Sequence, residues 1–272
     1  LPRWTFSLYW RKDGKPIWRN LDLFAPERQP TPADAEAACA LARGIARRLG
    51  VSGRCAVPAY EDPAYWILKE GGLPDNVTAE DSKLDDPEAR ARIARVFERG
   101  LGTPSAYVLP VQRWQASAGK SWVSEVWNFR RGKLYLVPGD SPAGFRLPLA
   151  ALPWVPPTAY PFHVDRDLMG DLPDLPDPDE LATAYEHSRE PAPDDPRVSQ
   201  WMTGVGAVRT AMSVEPRNGR LCVFMPPAAG ADDYLELLAA VESAAEDLGL
   251  PVHIEGYPPP NDPRLNVIRV AP

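Results

Sequence analysis

Residues 208–225 read VRTAMSVEPRNGRLCVFM, and this stretch decides the fold. Two apolar runs, Val208–Val214 and Leu221–Met225, are separated by a turn that contains Asn218-Gly219. Asn-Gly is the strongest two-residue signal for a β-hairpin, because both residues tolerate the left-handed backbone of a type I′ turn. We therefore predict two antiparallel strands joined at this dipeptide.

The residues after the hairpin extend it into an α+β layer. A helix is predicted to begin at Asp232 or Asp233 and to end at Gly249, because apolar residues recur at helical spacing between them. Val252–Glu255 and Val267–Val270 are then predicted strands. The order β-β-α-β-β indicates an α+β fold, a mainly antiparallel sheet with helices packed on one face.

The first part of the chain contains the same two kinds of element. Alternating apolar and polar residues over 4–10 predict a half-buried strand. Thr31 is the predicted N-cap of a first helix that ends at Gly50, and a second helix is predicted over 87–99. Further strands are predicted at Ala106–Val111, Trp122–Phe129 and Leu134–Val137.

Residues 161–200 differ in composition from the segments on either side. They hold seven of the 33 prolines and 11 acidic groups against three basic ones, without a periodic apolar pattern. Proline removes helix hydrogen bonds and like charges repel, so we predict an exposed linker or insertion. The chain is thereby divided into an α+β segment at 1–160, the linker at 161–200, and a segment at 201–272 that shares the same sheet.

Charge and composition exclude several classes of function. The 30 basic and 37 acidic residues give a formal net charge of −7 without a dense Lys/Arg stripe, which argues against nucleic-acid binding. No apolar run approaches the roughly 20 residues of a membrane helix. Three cysteines without CxxC spacing predict reduced thiols in a cytoplasmic protein. Cys222 lies inside an apolar strand, which favours a packed thiol over a nucleophile.

Carboxylates and arginines near the strand ends are the candidate site residues. Glu215 and Glu255 each end an apolar strand, and two carboxylates side by side at strand ends commonly hold Mg²⁺. Arginine binds phosphate or carboxylate through two parallel hydrogen bonds, so Arg146, Arg209 and Arg217 are candidate clamps. In the structural alternative, Glu215 and Arg217 are only surface residues of a hairpin turn, Glu255 caps a strand end, and Arg146 pairs locally at a rigid corner.

Distinctive stretches run through most of the chain: Arg3–Trp10, Asp13–Pro16, Ala59–Pro63, Leu136–Pro142, Gly144–Leu149, Arg209–Ala211, Val214–Arg217, Val223–Pro227 and Ile254–Tyr257. In these stretches the chain resembles an uncharacterised bacterial amidoligase domain family, typically fused behind a transglutaminase-like domain. The family's domain extends further than this sequence, so the chain resembles its N-terminal part, and its active site is then expected to be incomplete.

The resemblance implies a glutamine-synthetase-like carboxylate–amine ligase. ATP and Mg²⁺ would activate a carboxylate as an acyl phosphate, which an amine then attacks. Glu215 and Glu255 would be metal or nucleotide ligands, while Arg146, Arg209 and Arg217 would clamp phosphate or carboxylate. The implied partners are a transglutaminase-like domain, in the same or a neighbouring polypeptide, and a peptide or amino-acid-like substrate.

A second hypothesis assigns the chain no catalysis. In this reading it is an accessory module that positions a substrate protein or peptide, because exposed aromatic residues at a polar rim often mark recognition surfaces. The candidate residues lie near turns or in the linker: Trp114, Trp154, Trp201 and Tyr257. Burial of all four would remove the reason for this hypothesis.

Overall fold

A computed structural model describes residues 5–26, 33–72, 87–116, 119–127, 129, 132–161, 170, 172–186 and 206–271. Its helices are α1 (Ala35–Arg48), α2 (Pro63–Gly71), α3 (Pro87–Arg99), α4 (Pro178–Glu186) and α5 (Ala231–Leu248). Its strands are β1 (Phe6–Arg11), β2 (Val57–Tyr60), β3 (Ala106–Pro110), β4 (Gln112–Ala116), β5 (Gly119–Val123), β6 (Leu134–Tyr135), β7 (Ala211–Arg217), β8 (Arg220–Met225), β9 (Val252–Gly256) and β10 (Leu265–Val270).

The main sheet has six strands in the order β6-β2-β3-β7-β8-β9. The central pairs β2–β3, β3–β7 and β7–β8 are antiparallel, whereas the two edge pairs, β6–β2 and β8–β9, are parallel. The prediction of an α+β fold is confirmed, and the sheet is mixed at its edges. The three strands from the first part of the sequence, β6, β2 and β3, form one half of the sheet, and the three from its last part, β7, β8 and β9, form the other half, joined through the β3–β7 pair.

The predicted hairpin joins β7 and β8. Asn218 and Gly219 have φ angles of 53° and 69°, the left-handed values of a type I′ turn. The first strand begins at Ala211 instead of Val208 and continues to Arg217, which pairs with Arg220. Glu215 therefore lies within β7 and not at its end, which corrects the sequence prediction.

Helices α1 and α5 cover one face of this sheet. Leu41 and Ile45 of α1 and Val241 of α5 are fully buried against sheet residues such as Met212 and Val223. Helix α5 ends at Gly249, which adopts the predicted left-handed conformation with φ 60°. The helices-on-one-face prediction is confirmed for these two helices.

The start of α1 differs from the prediction. Its N-cap is Asp34, whose side chain accepts a hydrogen bond from the Ala37 N–H at 2.7 Å, and Thr31 precedes the described residues of this helix. Thr and Asp both cap helices well, so residue type alone does not distinguish Thr31 from Asp34. The second predicted helix is α3, which ends at Arg99 before Gly100, as expected.

The predicted strand Trp122–Phe129 is wrong beyond Val123, where β5 ends. Beyond it, the Ser124 hydroxyl donates to the Pro110 carbonyl, and the buried Glu125 carboxylate accepts from the N–H groups of Ala207 and Val208. Side chains thus occupy the hydrogen-bonding positions that a neighbouring strand would fill.

Strands β1 and β10 form a separate two-stranded ribbon. The prediction of a half-buried β1 was wrong about which side is buried, because its apolar residues Phe6, Leu8 and Trp10 are the exposed set. Alternation identifies two faces of a strand but not which of them meets the core.

The prediction that residues 161–200 have no packed structure was wrong for residues 175–186. Helix α4 lies in this range, and Leu175, Ala182 and Tyr185 are buried. The Arg11 guanidinium also donates to the Pro176 carbonyl at 2.6 Å. Pro173 and Pro176 precede this helix, Pro178 is its first residue, and no proline falls in its interior, so the prolines do not prevent it. The boundaries at 160 and 200 stay predictions.

Substituting Tyr185 with phenylalanine tests how firmly α4 is attached to α5. The Tyr185 hydroxyl donates to the Glu236 carbonyl at 3.1 Å, so its loss is expected to lower the free energy of unfolding by about 1 kcal/mol. Urea denaturation provides the measurement, with Tyr65→Phe as a control because Tyr65 is exposed. Equal stability of the two variants would show that this hydrogen bond contributes nothing.

In the described part of the chain, no helix is long and apolar enough to cross a membrane.

Candidate functional site

Three of the five predicted site residues lie in direct contact. Arg217 Nη1 donates to Glu215 Oε2 at 2.9 Å, and Arg217 Nη2 donates to Glu255 Oε2. Strand β8 separates the two carboxylates, so they are not on adjacent strands as the sequence analysis supposed. The arginine side chain spans that gap.

Register places these groups on one face of the sheet. Glu215 is opposite Cys222, while Glu255 is opposite Phe224. Directly opposed residues share a face and side chains alternate with period two, so Glu215, Arg217 and Glu255 point to the same side. This side is opposite to the one that α1 and α5 cover.

A short loop covers this face beside Glu215. The 3₁₀ turn Ala143–Arg146 follows the predicted tight loop, and the Ala143 N–H donates to Glu215 Oε2 at 3.0 Å. Gly144 lies directly on the Phe224 ring, because a Cβ at this position would be 2.1 Å from Phe224 Cδ1. Glycine is therefore needed here for close approach.

Burial and the neighbouring charges shift the pKa values of Glu215 and Arg217. Glu215 is 6% exposed, and burial raises its pKa, an effect that Arg217 and the Ala143 N–H only partly oppose. Burial disfavours the charged form of Arg217, but the two carboxylates outweigh it and raise the pKa of Arg217. The cluster therefore holds one fixed positive charge between two carboxylates, and burial makes Glu215 easier to neutralise than an ordinary glutamate.

One oxygen of each carboxylate is available to a further ligand. Both hydrogen bonds from Arg217 go to Oε2, and Oε1 of each carboxylate accepts no hydrogen bond from the described residues. Mg²⁺ is usually bound by one or two carboxylates together with substrate phosphates, and not by a full protein cage. The finding that no group of three or more potential metal ligands occurs among the described residues is compatible with that mode.

Arg146 is already paired in this structure. Its two terminal nitrogens donate to the two oxygens of Glu61 at 3.0 and 2.9 Å, and both residues are buried. Trp66 Nε1 donates to Glu61 at 3.0 Å, and Arg99 adds a contact at 3.3 Å. Burial alone would raise the pKa of Glu61, but these donors outweigh it and hold the pKa below its ordinary value. Arg146 is thus held by an internal ion pair, but its partner lies 85 residues away in the sequence and not in the neighbouring loop, so neither a free clamp nor purely local pairing describes it.

Arg209 does not join the cluster. It lies before β7, six residues from Glu215, or roughly 20 Å along an extended chain. Its guanidinium donates to the Pro153 carbonyl and lies 5.8 Å from the centre of the Tyr160 ring. The structure therefore brings together Glu215, Arg217 and Glu255, and it leaves Arg209 apart.

Cys222 of β8 lies directly opposite Glu215 of β7 in the sheet. Burial raises its pKa to about 11, so its thiol stays protonated near neutral pH. This agrees with the predicted packed thiol.

The aromatic residues of the second hypothesis have mixed environments. Trp154 is 82% exposed and Tyr257 is 44% exposed, whereas Trp114 is half-buried. Trp201 lies outside the described residues. The condition that would have removed this hypothesis is not met, and the accessory role stays a prediction.

Comparison with known proteins agrees with the resemblance. A family model described as "Putative amidoligase enzyme (DUF2126)" matches residues 1–272. No curated protein and no solved structure matches the chain. The fusion to a transglutaminase-like domain stays a prediction.

Proposed function

The chain belongs to the family described as "Putative amidoligase enzyme", and we propose that it is an ATP- and Mg²⁺-dependent carboxylate–amine ligase or the N-terminal part of one. The observation that supports this proposal is the convergence of Glu215 and Glu255 on one face of the sheet, with Arg217 between them. A peptide or amino-acid-like carboxylate as substrate and a transglutaminase-like partner domain belong to the same proposal.

The proposed reaction has two steps, and each places negative charge where a cationic group can stabilise it. The terminal phosphoryl group of ATP passes to the substrate carboxylate, which forms an acyl phosphate and ADP. An amine then attacks the acyl carbon, the C–N bond forms, the C–O bond to phosphate breaks, and the nitrogen loses a proton. Both steps place negative charge on phosphate oxygens, and fixed cationic donors stabilise such charge.

Each residue of the cluster has a role in this proposal. Glu215 and Glu255 would hold Mg²⁺ through their free oxygens, and the bound ion would neutralise charge on the transferring phosphate. Arg217 would turn one nitrogen from a carboxylate toward that phosphate, since its side chain is 28% exposed and can reach solvent. The Ala143 N–H keeps Glu215 in place during this exchange.

Neutralising the two carboxylates tests the proposal. The variant Glu215→Gln/Glu255→Gln is expected to weaken binding of Mg·ATP at least about tenfold in isothermal titration calorimetry, because it removes the anionic ligands and keeps the side-chain shape. Burial already penalises the charge of Glu215, so a neutral amide there should preserve the fold.

Two exposed carboxylates provide the matched control. Glu98→Gln/Glu246→Gln removes the same charge at positions outside the cluster, and it is expected to leave Mg·ATP binding unchanged. Equal weakening in both double variants would indicate a general charge effect. That result, or an absence of Mg·ATP binding to the unmodified chain, would contradict the proposed function.

A further inference from the structure

Three aromatic rings form a cluster beside the carboxylates. The buried Phe224 ring has its centre 4.7 Å from that of Phe145 and 6.0 Å from that of Tyr257, both nearly perpendicular to it. The centres of the Phe145 and Tyr257 rings are 6.0 Å apart. Phe224 thus supports two outer rings that contact each other.

The outer rings are exposed although the backbone holds them firmly. Phe145 is 59% exposed and Tyr257 is 44% exposed. The Phe145 N–H donates to the Pro142 carbonyl at 2.9 Å, and the Tyr257 N–H donates to the Met225 carbonyl at 3.0 Å. Two large apolar rings kept at the surface by main-chain hydrogen bonds form a preorganised contact surface.

Sequence and register connect this surface to the candidate site. Phe145 is in the 3₁₀ turn whose Ala143 N–H binds Glu215. Tyr257 follows Glu255 by two residues, and Glu255 is opposite Phe224 in the sheet. A ligand that binds the carboxylate–arginine cluster therefore has the two exposed rings close to it.

We propose that Phe145 and Tyr257, whose rings are inclined at 57° to each other, form a stacking platform for a nucleotide. Its planar heteroaromatic ring would stack on one of the two rings and meet the edge of the other, while its phosphates reach Arg217 directly and Glu215 and Glu255 through Mg²⁺. This inference rests on the proposed function and adds the part of the ligand that the charged cluster cannot recognise. Heteroaromatic rings stack on exposed aromatic side chains with little dependence on base identity. The platform accordingly recognises a ring, whereas the cluster recognises phosphate.

Removing both rings tests the platform. In Phe145→Leu/Tyr257→Leu, the aliphatic side chains still cover Phe224 but offer no π-face. The Kd for Mg·ATP is expected to rise about tenfold, the binding of adenosine is expected to be lost, and the Kd for Mg·tripolyphosphate is expected to stay the same. Calorimetry with these three ligands gives the measurement, and thermal unfolding verifies the fold. Phe6→Leu is the matched control, since Phe6 is 63% exposed on the separate ribbon.

The ligands distinguish failure of the platform from failure of the proposed function. Unchanged Mg·ATP and adenosine binding in the double variant would overturn the platform and leave the ligase proposal intact. Equal weakening of Mg·ATP and Mg·tripolyphosphate would overturn it too, because the rings would then act only by supporting the phosphate site. If the chain bound N-acetyltryptophanamide but not adenosine, the platform would recognise an aromatic amino-acid side chain, and the assignment to a nucleotide ring would be overturned. Platform-dependent adenosine binding, with Mg·ATP binding insensitive to Glu215→Gln/Glu255→Gln, would support the platform and contradict the ligase.

Discussion

Replacing Arg146 with methionine is expected to lower the free energy of unfolding by about 3–5 kcal/mol, because Glu61 would keep its charge in a buried site without its main partner. Both side chains are less than a tenth exposed, and two hydrogen bonds of 3.0 and 2.9 Å join them. Trp66 and Arg99 remain as donors to Glu61, but Arg99 is partly exposed and its contact is longer. Urea denaturation at neutral pH gives the measurement.

A second pair in the same region is the control for this experiment. Arg92 binds Asp140 at 2.7 Å, but Asp140 is 64% exposed, so Arg92→Met is expected to change stability by less than about 1 kcal/mol. Combining Arg146→Met with Glu61→Met removes the stranded charge and should recover part of the loss. If Arg146→Met and Arg92→Met were equally mild, the Glu61–Arg146 pair would not be an important part of the fold.

The Glu61–Arg146 pair also makes the free energy of unfolding depend on pH in acid. The folded-state pKa of Glu61 lies below its ordinary value of 4.5, so the unfolded chain binds the proton more tightly. The stabilisation is complete above about pH 4.5 and is lost as the pH falls through the folded-state value. Arg146→Met should therefore reduce the loss of unfolding free energy as the pH falls from neutral into acid.

Local signals account for the parts of the fold that the sequence predicted. Asn218-Gly219 and Gly249 specify backbone conformations that few other residues adopt, so the hairpin and the end of α5 could be located. Helix α4 has a start signal in Asp177-Pro178, where the Asp177 carboxylate accepts hydrogen bonds from the Asp179 and Glu180 N–H groups, but it lacks a periodic apolar face in the sequence. Its stability comes from packing on α5, through Tyr185 and Ala182, and composition alone does not reveal such contacts.

In the candidate site too, local sequence signals predicted some residues, whereas others depend on contacts between distant parts of the chain. Glu215, Arg217 and Glu255 could be proposed because each lies at or near the end of an apolar strand. Glu61 was not proposed as a site residue, since its pairing with Arg146 joins positions 85 residues apart. Arg146 and Arg209 resemble Arg217 in sequence context, and only the folded chain shows that one is buried against a carboxylate and the other lies apart.

Substituting Gly144 with alanine is expected to lower the free energy of unfolding by about 3 kcal/mol, the upper part of the usual range for overpacking. The new Cβ would lie 2.1 Å from Cδ1 and 2.2 Å from Cγ of Phe224, which is a buried ring that cannot swing aside. Relief requires the 3₁₀ turn to move away from the sheet, and that movement breaks the bond from the Ala143 N–H to Glu215. Chemical denaturation measures the stability, and Mg·ATP binding should weaken with it.

Two further variants show whether the ring is the cause. Gly139→Ala, in the same loop, would place its Cβ at an ordinary 3.4 Å from Arg146 Cδ and should cost less than about 1 kcal/mol. Phe224→Ala removes the atoms that the new methyl group would meet, at its own cost of about 3–5 kcal/mol. Adding Gly144→Ala to that variant should then cost nothing more, because the methyl group enters the space that the ring has left. Additive losses in the double variant would show that the contact with the Phe224 ring is not the cause of the destabilisation.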